Sequence, residues 1–270
     1  MRVFVLSSGS SGNALLLEAN CGSRVFVDAG VGPKVAARRL KELGFDLFPR
    51  GVDAIVITHH HGDHFAHAEP LARAFRAPMF LHRGISARRV RARWEVREYQ
   101  AGAPFQAGAF EVQALDVPHD APQVALTFEA GGLRFGLATD LGRAPSSLAP
   151  FLGRCDVALL EANYCPLMLE TGPYPPRLRD RIRGGLGHLA NEQTAELAAR
   201  FRGMRLATLC LGHISRHNNS PEQALAVVRP RCPWLEVFAV AHGDARTIEV
   251  GAHARPAFRG RGEQLALAFG

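Results

Sequence analysis

At 270 residues, 47% hydrophobic and 21% charged, the chain has the composition of an ordinary globular protein, which argues against wholesale disorder. Its formal net charge of +7 predicts attraction to polyanions. The longest apolar runs, such as "DVALLEA", are too short to cross a bilayer, and the start "MRVFVLSSGSSGN" lacks the extended apolar region of a secretory signal, so no membrane partner and a cytoplasmic location are expected.

In chain order, extended runs are predicted at "RVFVLS", "ALLLEA", "RVFVDAG", "DAIVIT", "PMFLH", "FEVQALDVP", "QVALTFEA", "LRFGLATD", "DVALLEA", "RLATLCLGH", "LEVFAV" and "TIEV". Helical periodicity falls between them at "PKVAARRLKELG", "FAHAEPLARAF", "NEQTAELAARF" and "PEQALAVVR". The fold class is therefore α/β, with more strands than helices and no internal repeat. Such runs recur without a linker-like break, so one domain over residues 1–270 is expected. Glu170 to Gly187, "ETGPYPPRLRDRIRGGLG", rich in Pro, Gly and Arg, reads as an irregular excursion from the core. Five cysteines (Cys21, Cys155, Cys165, Cys210, Cys232), odd in number and without CxxC spacing, suggest separate reduced thiols.

The stretch "VITHHHGDHFAH", Val56 to His67, holds five histidines and one aspartate directly after an apolar run. His59, His61, Asp63 and His64 follow the strand "DAIVIT"; His119 follows "FEVQALDVP"; Asp140 ends "LRFGLAT"; His213 ends "LATLCLG". These four predicted strands thus each deliver a metal-competent side chain at the carboxyl end, where α/β sheets place their sites. In an extended segment residues i and i+2 project to one side, so His59 and His61 can grip one ion. The chain then turns at Gly62, and Asp63 with His64 can face a second ion. Imidazole with carboxylate suits zinc, with manganese or iron as alternatives. His60, His67, His82, His217 and His242 are read as surface or satisfied core histidines.

"THHHGDH", with the later His119, Asp140 and His213, resembles the metallo-β-lactamase superfamily over nearly the whole chain. The resemblance implies a four-layer αβ/βα sandwich with two divalent metal ions at the strand edges. It implies His59, His61 and His119 on one metal, Asp63, His64 and His213 on the other, and Asp140 bridging both. "SSGSSGN", "GHLANEQTAELAA" and "LGHISRHNN" further resemble the WalJ/YycJ-type exonuclease group, related to ribonuclease Z. That comparison puts His188 at a non-ligand histidine of a "GHS" motif. It makes Asp28 and Thr58 supports of the ligands, Asp28 resembling an early aspartate that orients a metal-binding histidine. As a lone residue Asp28 reads equally as a turn or helix-cap aspartate.

The implied function is a dinuclear metal-dependent phosphodiesterase acting on nucleic acid, a DNA exonuclease before an RNA one. Two ions about 3.5 to 4 Å apart can share a water, lower its pKa and present a bridging hydroxide. Asp63 and His188 are the expected catalytic residues, His188 as the acid that protonates the departing oxygen. Substrate contacts are expected from Ser10, Ser11 and Asn13 of the Ser7–Asn13 loop. Arg177, Arg179, Arg181 and Arg183 are expected to hold the polyanion, with Tyr164 and Tyr174 stacking on bases. A second basic run, Arg83 to Arg97, contains six arginines. The alternatives are a small-molecule phosphodiesterase or other hydrolase of this fold, and a non-catalytic nucleic-acid-binding protein; a homodimer is plausible for this fold.

Overall fold

The computed structural model describes residues 1–46, 51–85 and 94–251. Arg88, Arg89, Arg91 and Arg93 of the Arg83–Arg97 run lie outside the described residues. The first half of the chain forms β1 (Arg2–Ser7), β2 (Ala14–Glu18), β3 (Arg24–Val27), α1 (Pro33–Glu42), β4 (Ala54–Ile57), α2 (Gly62–Phe65), α3 (Ala68–Phe75), β5 (Met79–His82) and β6 (Val96–Tyr99). There follow β7 (Phe105–Ala107), β8 (Phe110–Val117), β9 (Gln123–Ala130), β10 (Leu133–Ala138), α4 (Leu148–Leu152) and β11 (Val157–Glu161). The last part holds α5 (Pro166–Thr171), α6 (Pro176–Arg183), α7 (Asn191–Ala199), β12 (Thr208–Gly212), α8 (Pro221–Val228), β13 (Glu236–Ala239) and β14 (Arg246–Glu249).

The strands build two seven-stranded sheets, ordered β14-β1-β2-β3-β4-β5-β6 and β13-β12-β11-β10-β9-β8-β7. In each, half is parallel (β3 to β6, β10 to β13) and half antiparallel. The reason most strands read as continuous apolar runs is that both faces are covered. Along β1, Val3 and Val5 enter the core between the sheets with Val112, Leu126 and Leu137, while Phe4 and Leu6 pack outward with Leu40 and Leu71 of α1 and α3. On the other sheet, Leu160, Leu209 and Leu211 pack with Leu148, Ala198 and Val228 of α4, α7 and α8. The result is the expected αβ/βα sandwich of four layers. No helix among the described residues is long and apolar enough to cross a membrane.

The departures from the sequence reading have local causes. β6 and β7 end their sheets and carry half-polar patterns, so neither announces itself as a buried strand. The single helix predicted over residues 65–75 is two, α2 and α3, because Pro70 has no N–H and its ring would collide with the carbonyl four residues earlier. The segment 170–187 is not an irregular excursion: it contains α6, whose first residue is Pro176, a proline position that costs a helix no hydrogen bond.

The feature that matters for function is the shared rim. The carboxyl ends of β3, β4, β8, β10, β11 and β12 bring Asp28, His59, His119, Asp140, Glu161 and His213 to one edge between the sheets.

Candidate metal centre

The loop from β4 into α2 carries His59, His61, Asp63 and His64. The donor atoms of His59, His61 and His119 lie within 4.8 Å of one another, as do those of Asp63, His64 and His213. Asp140 sits between these two groups: its Oδ2 is 3.1 Å from His64 Nε2, and its Oδ1 is 3.7 Å from His213 Nε2 and 4.0 Å from His119 Nε2. Although the His64–Asp140 contact is short, Asp140 Oδ2 makes no hydrogen bond by geometry, and neither do His59 Nε2 or His213 Nε2. A buried polar atom without a partner costs about 1–3 kcal/mol, so three in one place call for a ligand. Five imidazoles and two carboxylates form a donor set that fits divalent zinc, manganese or iron.

The backbone is strained at the same rim. Among the described residues four non-glycines have positive φ, and three of them are Asp28 (58°), Asp140 (56°) and His213 (52°). Each left-handed residue costs about 1–3 kcal/mol, and such strain gathers at functional sites. Here it turns each side chain off its strand end towards the centre.

Every candidate histidine has one ring nitrogen held by an acceptor, which leaves the other nitrogen facing the centre. His64 Nδ1 donates to Asp28 Oδ2 at 2.7 Å. Asp28 is held in turn by the amide (2.8 Å) and hydroxyl (2.9 Å) of Thr58, whose oxygen lies 3.1 Å from His59 Nδ1. His119 Nδ1 donates to the Gly187 carbonyl at 3.2 Å, and His213 Nδ1 to Glu161 Oε1 at 2.8 Å. His61 Nε2 lies 3.3 Å from Asp120 Oδ1, which turns His61 Nδ1 towards His119 Nε2, 3.2 Å away.

The electrostatics divide the centre in two. Burial lowers the pKa values of His59, His61 and His119, so these rings are neutral. Burial also opposes charge on His64, but the carboxylates of Asp140 and Asp28 outweigh it and push the pKa up to about 10. His213 is raised well above its ordinary value against its burial, by Asp140, Asp63 and Glu161. Asp140 is held well below the carboxylate range: burial raises it, and the surrounding His213, His64 and His59 prevail.

A cavity of about 230 Å³ opens over the centre, walled by Ser10, Asn163, Tyr174, Arg181, His188 and Ser215 besides the candidate ligands. Several predicted substrate contacts are elsewhere. Ser11 is exposed outside the cavity wall, its hydroxyl 2.9 Å from His242 Nε2. Asn13 is buried and turned to the centre itself, with Nδ2 2.8 Å from His64 Nε2 and 3.3 Å from Asp63 Oδ2. Tyr164 is buried with Leu169, Ile182 and Ala190, because its backbone bridges to Ala190 and carries the ring inward, so it offers no face for stacking a base. Of the four arginines on α6 only Arg181 lines the cavity. Arg179 and Arg183 are drawn to Glu170 and Asp180, their nearest acids, and Arg177 is exposed away from the wall.

Sequence reasoning missed Glu161, which is fully buried and receives His188 Nδ1 and His213 Nδ1, each at 2.8 Å. Its one signal was an acid closing a wholly apolar strand, "VALLE", the same feature that marked Asp140. Asp120, Asn163 and Ser215 were missed as well. Asp120 was the most findable, as a carboxylate directly after His119.

Comparisons with known proteins bear on the family and the fold. Residues 23–214 match the family model described as a β-lactamase superfamily domain. The chain is 33% identical over 237 residues to a Streptococcus pneumoniae protein named exodeoxyribonuclease WalJ, covering 82% of this chain and 84% of that one. It is 26% identical over 234 residues to a Bacillus anthracis protein named exodeoxyribonuclease YycJ, with the same coverages of 82% and 84%. The metallo-β-lactamase-fold protein YhfI from Bacillus subtilis superposes with a TM-score of 0.69 at 18% identity, covering 91% of this chain and 98% of that one.

Proposed function

The chain belongs to the metallo-β-lactamase superfamily and is a metal-dependent hydrolase, and from that premise we propose that it is an exonuclease hydrolysing phosphodiester bonds in DNA. One observation carries the reading: seven metal-competent side chains meet at one rim in a chain 33% identical to WalJ over 84% of that protein. In this reading His59, His61 and His119 hold one divalent ion, Asp63, His64 and His213 hold a second, and Asp140 serves both. Bound there, two divalent ions supply positive charge for the scissile phosphate and lower the pKa of water.

The chain's own residues do the rest. Asp63, whose side chain stays 25% exposed at the cavity wall, accepts a hydrogen bond from the attacking water. His188 lies on the same wall with Nδ1 bonded to Glu161. Burial disfavours its charged form, but the Glu161 carboxylate outweighs it and raises its pKa, which favours the protonated ring as donor to the leaving oxygen. Arg181 meets a backbone phosphate at the mouth, and Ser10 and Tyr174 complete the contacts. Tyr174, Leu178, Arg181 and Ile182 form one wall of the cavity beside the centre.

A second reading, hydrolysis of a small cyclic or nucleotide phosphodiester, draws support from the confinement of the basic wall to Arg181. The deciding experiment is metal quantification together with cleavage of end-labelled single-stranded DNA and RNA and of a chromogenic phosphodiester. Stepwise, divalent-ion-dependent shortening of DNA is expected. Turnover of the chromogenic ester with both labelled strands intact would favour the second reading.

A further inference from the structure

We infer that Asp120 is a positioning residue that ties the cavity wall to the metal centre, one carboxylate oxygen setting the His61 ring and the other holding the Arg181 guanidinium at the mouth. The inference rests on the phosphodiesterase reading above, since it gives Arg181 a phosphate to meet.

The geometry is specific to each oxygen. Asp120 Oδ2 accepts from Arg181 Nε at 2.8 Å and Nη2 at 2.6 Å. Asp120 Oδ1 lies 3.3 Å from both His61 Nε2 and His119 Nε2. Of those two nitrogens only His61 Nε2 has a proton to give, because His119 carries its proton on Nδ1, bonded to the Gly187 carbonyl. The carboxylate therefore fixes His61 with Nδ1 facing inward, as outer-sphere acceptors do for metal-binding histidines.

The Arg181 side chain is 61% exposed, and an ion pair that open to water stabilises a fold very little. Its consequence is geometric. Left alone, a long arginine samples many rotamers; tied through two N–H groups, it keeps three of its five donors free in a fixed plane for a phosphate. The backbone of α6 is anchored to the centre as well. His188 N bonds to the Ile182 carbonyl at 2.9 Å, and a Cβ on Gly187 would come within 2.2 Å of the Arg181 and Ile182 carbonyls. The wall and the centre are thus joined at two points, Asp120 by side chains and Gly187 by main chain.

The test compares wild type, Asp120→Ala, Asp120→Asn, Arg181→Ala and the Asp120→Ala/Arg181→Ala double variant. For each, kcat and KM are measured on an end-labelled single-stranded oligonucleotide, and affinity for Mn²⁺ or Zn²⁺ by competition with a chromogenic chelator. Asp120→Ala is expected to raise KM about tenfold and to weaken metal binding by about 10–100-fold. Arg181→Ala should raise KM with wild-type metal affinity. At saturating metal, KM in the double variant should be no higher than in Arg181→Ala, because Asp120 then acts on substrate only through Arg181. The inference is overturned if both Asp120 variants bind metal like wild type, or if the two KM effects multiply in the double variant. Should wild type leave every strand intact, the nuclease reading fails, while the metal affinities alone still decide whether Asp120 sets His61.

Discussion

Glu161→Gln is the sharpest perturbation of this centre that leaves its shape intact. Oε1 of the buried carboxylate receives His188 Nδ1 and His213 Nδ1 at 2.8 Å each; Oε2 receives the amides of Leu141 at 2.8 Å and Leu189 at 3.2 Å. A glutamine can keep both amide bonds on its carbonyl oxygen, but its NH₂ then faces two N–H groups. Two charge-assisted bonds at about 1.5–3 kcal/mol each are lost, about 3–6 kcal/mol in all. Relief of the buried carboxylate's desolvation, several kcal/mol, offsets much of this, leaving a net loss of about 2 kcal/mol. At about 2–4 °C per kcal/mol for a chain of this size, the metal-stripped variant should melt about 4–8 °C below wild type.

The pH dependence has a definite sign. Burial raises the Glu161 pKa, His188 outweighs it, and the net value falls below the ordinary 4.5. A depressed carboxylate stabilises the fold above its unfolded pKa and loses that stability as pH falls through the folded value. The deficit of Glu161→Gln should therefore be full at neutral pH and shrink below about pH 4.5. The new amide also favours the His213 tautomer protonated at Nε2, so affinity for divalent metal should drop about 10–100-fold. Calorimetry in chelator and a metal titration measure both; wild-type melting and wild-type affinity together would refute the role given to Glu161.

Other expectations are more local. Gly30→Ala should destabilise by about 1–3 kcal/mol or more, since its Cβ would fall 1.9 Å from the Asp63 carbonyl and 2.4 Å from Asn13 N, both backbone atoms; an unchanged denaturant midpoint would contradict this. His64, raised to about 10, and His213, raised well above 6.5, hold protons in the metal-free protein that binding must displace, so metal affinity should climb as pH rises towards about 10. The neutral His59, His61 and His119 should accept the first ion at lower pH, and titrations giving pH-independent affinity would exclude both statements. His188→Ala should slow an ordinary phosphodiester about 10²–10⁴-fold and spare one with an activated leaving group; equal losses on both would remove His188 from the acid role.

How much of this was legible in the sequence follows from where each signal resides. Strands buried on both faces, such as β1 and β11, advertise themselves as unbroken apolar runs, whereas the edge strand β6, "VREY", looks like any polar segment. α6 was hidden because Leu178 and Ile182 are its only apolar residues among four arginines. The candidate ligands were legible because four of them share one short loop and the others each close a strand. Glu161 was not, since its partners His188 and His213 are 27 and 52 residues away and nothing local marks the encounter. The basic charge misled where local acids absorb it: Arg179 and Arg183 pair with Glu170 and Asp180, and Arg181 alone reaches the cavity.

The central claim is that one rim of this fold holds two divalent ions. Anomalous diffraction from crystals loaded with manganese or zinc tests it most directly. Two peaks are expected, one among His59, His61 and His119, the other among Asp63, His64 and His213, with Asp140 in reach of both. A map with one peak or none at these places would contradict the account.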